Sequence, residues 1–186
     1  MKRFILFSVL LVTIFTTTQA QRMIPKQKAV SINSGLLLSN DIQGDWHLGI
    51  DLVHYFNRGN YWLWAVEYNR MQFAYRNYRI PSETYLAEAG HGFRLLGDKR
   101  KTLQLNAALT GIAGYESINR GNALLHDGAV IQNSSGFVYG AGGRLSLETF
   151  LTDHFVLMLQ TKARMLWSTS LQQFRPSVGL GLRFNF

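Results

Sequence analysis

Residues 177–186, SVGLGLRFNF, place Val178, Leu180, Leu182, Phe184 and Phe186 on one side of an extended chain and Gly179, Gly181, Arg183 and Asn185 on the other. Successive side chains of a strand point to opposite faces, so strict alternation marks a strand whose two faces meet different surroundings. One face must suit leucine and phenylalanine, and the other must accept a guanidinium. Helical spacing would scatter the same residues around the axis.

Seven earlier segments follow the same rule, spanning about 29–39, 46–56, 61–69, 82–95, 102–115, 137–150 and 155–167. In the second, Leu48, Ile50, Leu52 and Phe56 oppose His47, Gly49 and Asp51; in the seventh, Leu157, Leu159, Ala163 and Met165 oppose Gln160, Lys162 and Arg164. Ser34 and His91 fall among the apolar residues of their segments, as either a bulge or an interfacial position would allow. The connections 57–60, 97–101 and 152–154 are short, whereas 40–45, 70–81, 116–136 and 168–176 are mostly longer. Short turns alternating with longer loops predict an all-β protein, an eight-stranded antiparallel up-and-down transmembrane β-barrel. Pro81 and Pro176 are expected where strands begin, since a missing N–H is tolerated there.

Alternation does not say which face is outside, and a soluble ligand-binding barrel with an apolar lining is the rival. Three features favour the membrane version. Aromatic residues crowd the segment ends (Phe56, Tyr61, Trp62, Tyr115, Phe137, Phe150, Phe155, Trp167 and Phe184), as an interfacial girdle requires. The glycine-bearing face carries Asp51, Glu67, Glu88, Arg94, Arg144, Glu148, Lys162, Arg164 and Arg183, a nearly balanced set suited to an ion-pair network in a narrow lumen. Phe186 ends an alternating strand with no polar tail after it, as in the assembly signal read by barrel assembly machinery.

The other end of the sequence supports export. Lys2 and Arg3 precede an apolar or small stretch from Phe4 to Phe15, followed by Thr16–Thr18, Gln19 and Ala20. This is the plan of a secretory signal peptide, and the apolar run is too short to span a bilayer as a helix. The expected organisation is a signal peptide at 1–20, a short segment at 21–28 and an outer-membrane barrel at 29–186. Loss of Lys2 and Arg3 leaves 17 basic and 11 acidic side chains. The absence of cysteine excludes disulfides and a lipid on an N-terminal cysteine.

Five stretches carry a resemblance: NYWLWAVEYN (60–69), RIPSETYLAEAGHGFRLLGD (79–98), LTGIAGYESINRGNALLHDGA (109–129), YGAGGRLSLETFLTDHFVLMLQ (139–160) and QFRPSVGLGLRFNF (173–186). Together they resemble the TraO family of conjugative-transposon transfer proteins. The resemblance implies a part in the apparatus that moves DNA between cells, as its outer-membrane component, with other conjugation proteins as partners. It brings no catalytic residues.

The strongest functional segment is the loop 116–136, with Asn119, Arg120, Gly121, His126 and Asp127 as the expected partner-contact residues, because long irregular loops in compact domains are often functional. His126 beside Asp127, near Ser134 and Ser135, invites a hydrolase reading, but neighbours in a loop do not make a triad, which is defined by spatial roles. No catalytic, cofactor or metal site is expected. Arg70, Arg76 and Arg79 lie among Phe73, Tyr75 and Tyr78; arginines at an outer rim are expected to meet lipid phosphates, a better fit than direct nucleic-acid binding. Eight strands enclose a lumen that side chains fill, so a lone copy is no DNA conduit. Oligomers are compatible with this reading. The alternatives are a general surface barrel for adhesion or envelope integrity and a lipid-modifying barrel enzyme.

Overall fold

In the computed structural model all eight alternating segments form strands that close into one antiparallel barrel, each paired with its sequence neighbours and β1 with β8. The structure describes residues 26–38, 44–56, 59–76, 78–98, 102–125, 128–131 and 134–186, so the expected signal peptide and residues 21–25 lie outside the described residues. The strands are β1 (Lys28–Leu37), β2 (Trp46–Tyr55), β3 (Tyr61–Tyr75), β4 (Tyr78–Gly97), β5 (Leu103–Ile118), β6 (Ser135–Phe150), β7 (Phe155–Trp167) and β8 (Phe174–Asn185). Closure leaves no sheet edge around the wall, which is what lets β-structure cross lipid. No helix among the described residues is long and apolar enough to cross a membrane.

The faces sort as the alternation predicts. Ile32, Leu48, Ile50, Leu52, Trp64, Leu145, Leu157, Leu180 and Leu182 point outward and are exposed, while Asp51, Glu67, Glu88, Arg144, Lys162, Arg164 and Arg183 are buried inside. A soluble barrel would need the reverse, so the exterior is built for lipid. The lumen also takes apolar residues. Ala29, Val53, Tyr55, Tyr61, Leu63 and Ala108 cluster at the end of the short turns, and Leu86, Ile112, Val138 and Leu166 form a second cluster nearer the loops.

Several expectations are corrected. The 70–81 connection is mostly strand: β3 and β4 stay paired from Tyr61/Gly92 to Tyr75/Tyr78, whereas β2 pairs with β3 only as far as Arg70 and β5 meets β4 only from Ser82. At about 3.3 Å per residue this hairpin rises roughly 15 Å above the barrel. Pro81 therefore lies within β4, at a position that β5 does not reach. The 116–136 loop is shorter than expected because β5 runs to Ile118 and β6 begins at Ser135. Tyr61 and Phe150, placed by sequence in the aromatic girdle, turn inward. Each is in phase with the lumen side of its strand, Tyr61 with Leu63 and Glu67, Phe150 with Ser146 and Glu148.

Neither Ser34 nor His91 marks a bulge. Ser34 points outward and its hydroxyl donates to the His47 carbonyl at 3.0 Å, while His91 packs among Phe56, Trp62 and Phe93 at the turn-end interface. The register shift falls between Arg94 and Leu96.

Candidate functional site: the sealed lumen and the loop end

Three neutral charge clusters stack along the lumen. The central one is a ribbon of alternating sign drawn from five strands. Arg144 bridges Asp51 (Nη1 to Oδ2, 3.2 Å) and Glu88 (Nη2 to Oε2, 2.8 Å). Arg164 then joins Glu88 (Nε to Oε1, 2.7 Å) to Glu67 (Nη2 to Oε2, 2.8 Å). Lys162 ends the ribbon on Glu67 Oε2 at 2.6 Å and Asn33 Oδ1 at 2.9 Å. All six charged side chains are buried, so three acids and three bases cancel where water cannot screen them.

At the turn end Arg183 donates to Glu148 at 2.8 Å and to the Tyr55 hydroxyl, and Ser146 donates to the other Glu148 oxygen at 3.2 Å. Tyr61 packs beside Tyr55, with ring centroids 5.5 Å apart. Gly92 makes room for it: a Cβ built there would sit 2.0 Å from Tyr61 Cζ. On the opposite wall a Cβ at Gly35 would meet the Val178 carbonyl oxygen at 2.1 Å and His47 Cε1 at 2.7 Å. Glycines on the lumen face thus let large residues of neighbouring strands fill the bore.

The third cluster escaped the sequence reading. Arg175 donates to Glu116 (2.6 Å), Thr84 (3.2 Å), Thr169 (3.0 Å) and the Gln172 carbonyl (3.0 Å), and the Thr169 hydroxyl donates to the second Glu116 oxygen. It closes the loop end of the lumen and ties the 168–173 connection across it. Both charged residues fell in segments read as loops. The available signal was phase, because Arg175 continues the inward series Ser177, Gly179, Gly181 and Arg183, and Glu116 continues Thr110 and Ile112.

Eight of the nine residues expected in the lumen network are there; Arg94 is not. It is exposed at the turn end, with its Cδ 3.2 Å from the position of a Cβ built on Gly59. It lies near the end of β4, next to the register shift.

The long connection is itself folded. Asn119–Gly121 form a single 3₁₀ turn in which Asn119 (φ 52°) and Arg120 (φ 55°) occupy the left-handed region, which is sparsely used by residues other than glycine. Asn119 Nδ2 donates to the Asn122 carbonyl at 3.0 Å, and Ser134 Oγ to that of Gly121 at 3.2 Å. Beyond this neck Leu124 bridges Val130, Leu125 N–H donates to Ala129 O at 2.9 Å, and Ile131 N–H to Ala123 O at 2.7 Å. Leu124 and Val130 are each 67% exposed. His126 and Asp127 lie outside the described residues.

The three arginines read as a rim are spread along the β3–β4 extension. Arg70 opposes Glu83 at its base, Arg79 opposes Ala74 higher up, and Arg76 lies at the tip, its guanidinium 5.5 Å above the Tyr75 ring. Asp45 braces the base by accepting the Gln72 N–H at 2.8 Å. No group of three side chains suited to a metal ion occurs among the described residues.

A lipid-compatible wall around a bore that, among the described residues, is crossed by buried, paired charges defines a small transmembrane β-barrel. Solved structures with this fold include Neisserial surface protein A (14% identity, 86% of this chain and 96% of that one, TM-score 0.58). Ail, the attachment invasion locus protein of Yersinia pestis, matches at 13% identity over 88% of this chain and all of the other, TM-score 0.56. OprG of Pseudomonas aeruginosa matches at 11% identity over 91% and 99%, TM-score 0.50. No curated protein sequence matches. The family model described as conjugative transposon protein TraO matches residues 24–186, and the chain belongs to that family.

Proposed function

We propose that this protein is exported by a cleaved leader at residues 1–20, resides in the outer membrane, and serves conjugative DNA transfer there as a non-enzymatic component that contacts other transfer proteins through its loop end. Family membership across the whole barrel supports the process, and the apolar exterior supports the location. The packed lumen argues against the barrel acting alone as a conduit. The observation that carries the contact role is the pairing of residues 123–125 with 129–131, which holds Leu124 and Val130 side by side and exposed on a hydrogen-bonded support. Apolar pairs displayed on an ordered hairpin suit the buried centre of a protein interface. Arg120, strained in the neck below, supplies a cation at its edge.

Donor cells carrying Leu124→Ser with Val130→Ser, or lacking residues 122–134, test the reading once outer-membrane fractionation and a heat-modifiability gel show a folded barrel. Transfer frequency is expected to fall at least tenfold. Unchanged transfer from cells whose variant barrel is folded and correctly placed would sink the contact role.

A further inference from the structure

The outward wall of β2–β6 is not evenly bulky. Ala87 and Ala89 on β4 lie in register with Ala113 and Gly111 on β5, so four adjacent outward positions carry almost no side chain. They form the floor of two confluent hollows of about 640 and 680 Å³ that share Ile50, Val66, Ala87 and Ala113. Leu52 and Trp64 bound the hollow at mid-wall, and Tyr68, Tyr85, Tyr115 and Phe137 bound it towards the loops. The result is a furrow running from mid-membrane to the loop-end interface.

What lies above the furrow gives it chemistry. Trp46, Tyr68 and Tyr85 pack edge-on and tilted across its head at centroid spacings of 5.4 and 5.2 Å. One step further along the outward face of β3 is Arg70, whose buried Nε has no hydrogen-bond partner within the described chain. Arg79 shares that outward face on β4, and Arg76 crowns the hairpin, so among the described residues three cations gather above the furrow, with Glu83 on the same outward face and Asp45 at the hairpin base. A furrow between large side chains gives a straight hydrocarbon chain dispersion contacts on three sides, where a convex wall gives one. Guanidinium groups pair with phosphate oxygens in preference to other lipid headgroup atoms.

The geometry points to a specific site for one phosphorylated glycolipid of the outer leaflet, with an acyl chain in the furrow and a phosphate on Arg70 and Arg79. The inference rests on the outer-membrane reading above, which places the long loops outside. It also gives the hairpin a role, as a headgroup clamp continuous with the membrane wall.

Native mass spectrometry of the full-length folded protein in detergent tests it, with bisphosphorylated lipid A, the phosphate-free form, and phosphatidylglycerol of equal chain length as separate probes. Expected are one tightly held lipid A and at least fivefold weaker retention of the other two. Gly111→Leu with Ala113→Leu fills the furrow, and a Cβ at Gly111 meets nothing closer than 3.9 Å, so the barrel wall accepts it. Arg70→Gln with Arg79→Gln removes the clamp at positions outside or at the margin of the closed wall. Each pair is expected to lower lipid A retention at least fivefold, and the arginine pair to abolish the preference for phosphate. Equal retention of all three lipids by the unaltered protein, or wild-type retention by either folded variant, would overturn the site. Fractionation reads location independently, so a protein found in the outer membrane that shows no lipid A preference refutes this inference alone.

Discussion

Arg144→Met is the most informative single perturbation of the lumen. Among the described residues Arg144 is the one cation bonded to Asp51, whereas Glu88 on its other side keeps Arg164 at 2.7 Å and the Thr110 hydroxyl at 3.5 Å. Removing the guanidinium therefore strands one carboxylate. Asp51 retains the Ser31 hydroxyl at 3.5 Å, and the ribbon goes from neutral to a charge of −1 in a space closed to bulk water. Breaking a buried pair from one side costs about 3–5 kcal/mol, roughly a hundred- to several-thousandfold in the folded-to-unfolded ratio. Methionine preserves most of the volume, so the loss is electrostatic. The assay is urea unfolding of the refolded barrel in detergent or liposomes, scored by the heat-modifiable band. Adding Asp51→Asn leaves Glu67, Glu88, Lys162 and Arg164, again neutral, and the double variant is expected to recover more than half of the loss. An unaltered midpoint for Arg144→Met, or strictly additive losses in the double variant, would refute the reasoning, because coupled neighbours must deviate from additivity.

Gly92→Ala tests the packing of the turn-end plug. Its Cβ overlaps the Tyr61 ring, so a destabilisation of about 1–3 kcal/mol is expected. Tyr61→Leu in the same chain should relieve most of it in the urea assay. Arg175→Met tests the loop-end closure: with Glu116 uncompensated and Thr169 released, protease cleavage within 168–173 on intact liposomes is expected to quicken roughly tenfold, in line with the loss of charge-assisted hydrogen bonds. Adding Glu116→Gln should slow it again, and a cleavage rate indifferent to both changes would count against the closure.

The sequence alone determined the number of strands, their order of pairing and which face of each meets lipid. The strands and the division of each into two faces follow from a period of two, which needs only a residue and its immediate neighbours, and a one-residue slip would reverse every face. The pairing order followed from the alternating short connections, and the lipid side from the aromatic strand ends and the charges on the glycine-bearing face. Val178, Leu180 and Leu182 were legible for that reason, as were the lumen charges Asp51, Glu67 and Arg164. Where strands stop was less legible. Arg70–Pro81 is polar and aromatic without clean alternation, and only pairing with the opposite arm shows it to be a hairpin standing above the wall. Phase was present at Glu116, Arg175 and Tyr61 too, each in step with the lumen-facing residues of its own strand. Which carboxylate meets which cation was never in the sequence. Arg144 reaches across the bore to Asp51, 93 residues away, and Arg164 to Glu67, 97 residues away. Barrel closure sets those partners, because it brings β2, β3 and β4 opposite β6 and β7 at a common height. The furrow on the outer wall is likewise a tertiary feature, since the alanines and glycine that form it look in sequence like any other lipid-facing residues.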